Sequence, residues 1–169
     1  MTTKILALTD ALGNLVRFVL LPGQRFDTVG VPPLIDGLSF GALIADKAFD
    51  SNAIITDLNE RGAKIVISQH PRRALPLPLD EEMYKWRHLI ENFFCKLKEF
   101  KRIAMRADKT DHSFEAIIHL AAAVINSRCI STGLRACDRG IRPTTHHQSA
   151  CRRAPEAKKT LAIWSDNPR

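Results

Sequence analysis

No apolar run in this chain approaches the roughly 18 residues needed to cross a bilayer, and Met1-Thr2-Thr3-Lys4 leads into alternating residues rather than a signal-peptide core. That excludes a membrane partner and makes a soluble, cytoplasmic protein the expectation. Cysteine is sparse: Cys95, Cys129, Cys137 and Cys151 show no C-x-x-C spacing, so reduced thiols are the default. His146 and His147 combine with Cys137 and Cys151 in no zinc-module spacing, which removes that class. With 169 residues, 45% of them hydrophobic, the chain is too short for two comfortable domains but can bury one real core.

What is abundant is positive charge. The formal net charge is +7, which points to a polyanionic partner. From Cys129 onward eight cations face three carboxylates, a net +5, so the earlier part is nearly balanced. An argument for nucleic acid must therefore rest on where charges lie in the folded part.

Lys4 to Thr9 and Leu15 to Leu21 are β-prone runs around Asp10-Ala11-Leu12-Gly13-Asn14, which holds the turn residues of a hairpin. Pro22-Gly23 ends the second strand, and the connection to Gly37 has room for a short helix around Leu34. Gly41 to Ala45 reads as a buried strand ending at Asp46, the place where α/β folds present ligands. Asp50 or Ser51 is expected to cap a helix running to about Arg61, which Gly62 ends. A strand over Lys64 to Ser68 follows, then a Pro-rich basic loop, residues 69–78, containing Arg72 and Arg73.

Asp80, Glu81 and Glu82 open a long helix expected to reach about Arg106. At about 100° per residue, its apolar arc carries Trp86, Ile90, Phe93, Phe94 and Leu97. The opposite stripe gathers Tyr84, Arg87, Glu91, Lys98 and Arg102, one carboxylate among cations. A second apolar helix over Phe114 to Asn126 packs against the first, and beyond Arg128 the apolar periodicity is lost.

The spacing of Tyr84, Arg87, Glu91 and Lys98 resembles the Tyr-Arg-Glu-Lys signature of DDE transposases from bacterial insertion sequences of the four/five class. Ala45-Asp46-Lys47-Ala48-Phe49-Asp50 is similar to that family's Ala-Asp-Lys-Gly-Tyr-Asp motif, with Ala48 and Phe49 as departures. Residues 3–14 look like the segment that follows the family's first catalytic strand, so the resemblance covers most of residues 2–127. It implies an α/β, RNase H-like domain over residues 1–128 that lacks its first strand; the composition of residues 129–169 reads as a basic, irregular tail, disordered or partly helical.

The same resemblance implies roles. Asp46 and Glu91 would be the second and third metal-binding carboxylates, for two Mg²⁺ (or Mn²⁺) ions in the complete family site. Tyr84, Arg87, Lys98 and Arg102, with Arg72 and Arg73 from the loop, would contact DNA, both transposon ends and target. The first catalytic Asp is expected to be absent, and Asp10, the only early carboxylate, falls in a turn where local hydrogen bonding favours Asp. The expectation is a transposase fragment that, when complete, cleaves DNA and transfers strands at insertion-sequence ends but is inactive alone. Its partner would be an upstream-encoded fragment or the full-length transposase, and oligomerisation stays open. The alternatives are a non-catalytic DNA-binding or interfering remnant and an unstable product of a decayed reading frame.

Overall fold

The computed structural model describes residues 3–138 and 160–166. Strands β1 (Thr3–Asp10) and β2 (Leu15–Pro22) form the hairpin, antiparallel from Thr3 opposite Pro22 to Thr9 opposite Leu15, with a register shift after Leu8. Gly13 takes φ +80° in the turn, the left-handed conformation that an L side chain rarely adopts. Asp10 spends its carboxylate locally, accepting from the amides of Leu12 and Asn14 at 2.9 Å each and from Asn14 Nδ2 at 3.2 Å. The turn thus explains this carboxylate completely.

A 3-10 turn leads into α1 (Val31–Ile35), then β3 (Ala42–Ala45), α2 (Asn52–Glu60) and β4 (Lys64–Ile67). Strands β3 and β4 are parallel, as a helical crossover requires. Gly62 ends α2 at φ +68°, with Ala63 N donating to Leu58 O at 3.0 Å, the bond pattern of a left-handed C-terminal cap. The capping expected of Asp50 or Ser51 is not found: Ser51 occupies the N-cap position with no side-chain bond, and Asp50 is engaged elsewhere.

The expected long helix is broken into four pieces. Asp80 does cap its start, accepting from Met83 N at 3.0 Å, but α3 covers only Glu81–Tyr84. A 3-10 turn over Lys85–Arg87 leads into α4 (His88–Lys98), and α5 (Lys101–Ala104) is set off by Phe100, whose ψ of 97° is extended. Phe100 packs partly buried against the core, and its extended backbone accommodates a change of helix direction that periodicity alone does not reveal. Arg106 then adopts φ 43°, filling a left-handed cap position usually given to glycine, and its guanidinium lies 5.2 Å from the centre of the Phe114 ring.

Helix α6 spans Asp111–Asp138, longer than the expected Phe114 to Asn126, and β5 (Thr160–Asp166) is a further strand. The end of α6 fits a partly helical tail and β5 is the element not expected there, while residues 139–159, with His146, His147 and Cys151, lie outside the described ones. The sheet order is β2-β1-β5-β3-β4. One core, including Ile5, Ala7, Ile44, Phe93 and Ala162, lies on the face covered by α4 and α6. The other, including Leu6, Leu8, Leu43, Leu58 and Ile163, lies on the face of α1 and α2. Contrary to the alternation expected after Lys4, Ile5-Leu6-Ala7-Leu8 in β1 is a continuous apolar run like β3, because both strands are buried on both faces.

Candidate functional site

Asp46 follows directly on β3, at the carboxyl end of a parallel strand, where backbone hydrogen bonding ceases and side chains reach outward. Its Oδ1 accepts from Lys47 N at 2.8 Å, which orients the carboxylate at the head of a 3-10 turn. Tyr84, at the end of α3, brings its hydroxyl to 3.4 Å from the same oxygen. Glu91 comes from the first turn of α4, 45 positions later in the chain than Asp46.

Arg87 joins them. Its Nη1 lies 3.5 Å from Asp46 Oδ1 and its Nη2 lies 3.0 Å from Glu91 Oε1, so one planar guanidinium spans both carboxylates. The same group lies 5.3 Å from the centroid of the Tyr84 ring, in cation–π range. The broken helix serves this arrangement: the 3-10 turn that carries Arg87 packs against β3, while α4 keeps Glu91 one helical turn further on. Four residues singled out in the sequence, Asp46, Tyr84, Arg87 and Glu91, therefore converge.

The remaining ones come from other positions. Lys98 is the last residue of α4 and is exposed. Arg102 belongs to α5, beyond the break, and donates to Asp108 Oδ1 at 2.7 Å while remaining 68% exposed. Arg72 is exposed on the Pro-rich loop. Arg73 is turned inward: its Nη1 pairs with Asp50, its Nη2 reaches Asn52 Oδ1 at 2.5 Å, and its Nε donates to Leu75 O at 3.0 Å. Gln69 closes the loop by bonding both the carbonyl and the amide of Leu77, at 2.7 and 2.8 Å.

Sequence reasoning missed this pinned loop, although an Asp close after a strand and an Arg in a Pro-rich segment carry the two necessary charges. It also missed the contact of Lys64 with Asp80, 2.5 Å, which ties β4 to the start of α3. That hydrogen bond, followed by the Met83 amide, holds the Asp80 carboxyl below the usual carboxylate range. Among residues 3–127 and 161–163, whose side chains are described, no three His, Cys, Asp or Glu side chains gather closely enough to hold a metal ion by themselves. Nor is any described helix long and apolar enough to cross a membrane.

Comparison with known proteins identifies the family. Residues 1–126 match the family model of the transposase DDE domain, a stretch that contains all four converging residues. A Brucella ovis protein bearing the name transposase for insertion sequence element IS6501 is 40% identical over 129 residues, covering 74% of this chain and 98% of that protein. No solved structure matches. The match over three quarters of its length places this chain in the DDE transposase family of insertion sequences.

Proposed function

We propose that the chain carries the phosphodiester-cleaving and strand-transfer site of an insertion-sequence transposase, on an RNase H-like sheet, with Asp46 and Glu91 as ligands of Mg²⁺ or Mn²⁺ and Arg87 as a DNA phosphate contact. The observation that carries this reading is the convergence of two carboxylates from distant elements on one guanidinium. An antiparallel hairpin beside parallel strands, with the Glu-bearing helix laid on the sheet, supports the RNase H-like assignment.

The donor set suits a hard divalent cation: carboxylate oxygens are its preferred ligands, and Asp46 and Glu91 remain 25% and 38% exposed. Two carboxylates fill only part of such a shell, so phosphate oxygens and water would supply the rest. Bound there, the cation would polarise the phosphate and stabilise the leaving oxygen. The protein's own groups do the remainder. Lys47 N and the Tyr84 hydroxyl orient Asp46, while Arg87 offsets the repulsion between the carboxylates and is within reach of an incoming phosphate. Lys98 extends positive charge along α4, and Arg72 supplies it from the loop.

The test is divalent-ion-dependent nicking of a duplex carrying insertion-sequence ends, with Asp46→Ala and Glu91→Ala as controls. Nicking abolished in both variants supports the reading; nicking retained in either removes that residue from the site. A second reading, DNA binding without cleavage that interferes with an intact transposase, is favoured by one observation: no third metal-ligating side chain joins Asp46 and Glu91 among residues 3–127 and 161–163, whose side chains are described. A folded chain that binds the ends but does not nick them would select it.

A further inference from the structure

Strand β5, at the far end of the chain, runs through the middle of the sheet instead of along an edge. It pairs antiparallel with β1, from Ile5 opposite Asp166 to Asp10 opposite Leu161. On its other side it pairs parallel with β3, from Ala42 opposite Thr160 to Ala45 opposite Ile163. Strands β1 and β3 are not neighbours, so the hairpin and the β3–β4 pair belong to one sheet only through β5. The strand lies outside residues 1–126, the stretch that matches the family.

Its burial is that of a core strand. Leu161, Ala162 and Ile163 are all buried, and they alternate between the two cores: Ala162 on the side of α4 and α6, Leu161 and Ile163 on the side of α1 and α2. Without β5, the facing backbone donors and acceptors of β1 and β3 would lose their partners beside apolar surface, the costliest place to leave them. The site would lose its frame too, because α4, which carries Glu91, packs on β5, and Asp46 extends the strand that β5 flanks.

We propose that Thr160–Asp166 is an obligate strand supplied by the chain itself, which positions the candidate site by joining β1 to β3 and seating α4. The proposal takes Asp46 and Glu91 as the site, but its scaffold claim is tested without metal or DNA. Residues 139–159 join α6 to β5, and 21 residues can extend to about 70 Å, well beyond the width of a domain of this size. The connection therefore permits supply in cis, although a second copy could also reach the slot.

Hydrogen exchange on the full-length chain tests the proposal. Amides in Leu161–Ser165 are expected to exchange as slowly as those of Thr3–Asp10 and Ala42–Ala45, as one cooperative unit. Exchange of residues 160–166 at unprotected rates beside a protected β1 overturns it. Ala162→Pro, which disrupts a central strand, is expected to lower protection about tenfold or more in β1 and β3 as well as β5; loss confined to β5 overturns it. If that variant does not fold, Ala162→Leu keeps the ladder but thickens the strand beneath α4. It is expected to speed exchange in α4 about tenfold while α2, on the opposite face, is unchanged; equal effects on both helices, or none, overturn the positioning role. Protection of β5 is expected to be independent of protein concentration; protection lost on dilution would assign the strand to a partner copy and overturn supply in cis.

Discussion

Asp50 and Arg73 form an ion pair nearly closed to solvent, with the carboxylate side chain 5% exposed and the arginine 16%. The carboxylate also accepts from His70 N at 2.9 Å, so one acidic residue just beyond β3 holds two points of the Pro-rich loop. Arg73→Ala leaves that buried charge without its partner, a change expected to cost about 3 kcal/mol of stability. Asp50→Asn is expected to cost less, and the double variant less than the sum. Urea unfolding of the three proteins measures the coupling, and a value under about 0.5 kcal/mol would mean that the pair does not hold the loop.

Arg87→Ala is expected to move two affinities in opposite directions. Asp46 and Glu91 lose the cation between them, so Mn²⁺ binding by calorimetry should tighten, while binding to an end-bearing duplex should weaken and its salt slope fall by about one. Arg87→Lys keeps the charge but cannot span both carboxylates, so it should recover DNA binding only in part. Unchanged DNA affinity and slope in Arg87→Ala would remove this residue from the interface.

The depressed carboxyl of Asp80 gives stability a pH dependence of known sign. A folded-state value lowered from 3.8 means that Asp80 stabilises the protein fully above that pH and loses its contribution as pH falls through the lowered value. Lys64→Met removes the largest cause, so its destabilisation should be present near neutrality and shrink in the acid range. Denaturation midpoints of both proteins at pH about 6 and about 2.5 check this; a difference that widens in acid would contradict it.

Gly30 is a packing constraint. A Cβ there would lie 2.5 Å from Leu6 Cδ2 and 2.9 Å from Leu21 Cδ1, and Leu6 is fully buried. Gly30→Ala is expected to lower stability by about 1–3 kcal/mol through overpacking. At Gly62 nothing lies within 4 Å of a Cβ, so Gly62→Ala should cost only its backbone strain at φ +68°, about 1 kcal/mol. Equal midpoint shifts for the two would show that Leu6 and Leu21 can yield.

The hairpin, the strand ending at Asp46 and the cap at Asp80 were legible because each rests on local chemistry: turn residues, a short apolar run, an acidic residue before a helix. The convergence of Tyr84, Arg87 and Glu91 was legible from their spacing on one helical segment. The break at Phe100 was not, because the apolar arc continues through it and only packing sets the change of direction. This is also why Arg102 sits with Asp108 instead of on the stripe of Glu91. Arg73 was hidden for a related reason: only the fold reveals that Asp50 lies within its reach. Strand β5 carries its own signal, the apolar run Leu161-Ala162-Ile163-Trp164, but the basic stretch before it gave no reason to send the chain back into the sheet.

Because β5 is synthesised long after β1 to β4, the sheet cannot close until residues 160–166 have left the ribosome. The hairpin and the β3–β4 unit must wait, each with one open flank, until β5 emerges, and closing the gap then requires contacts between segments far apart in sequence. Translation halted shortly before residue 160 would release two half-sheets without the strand that joins them.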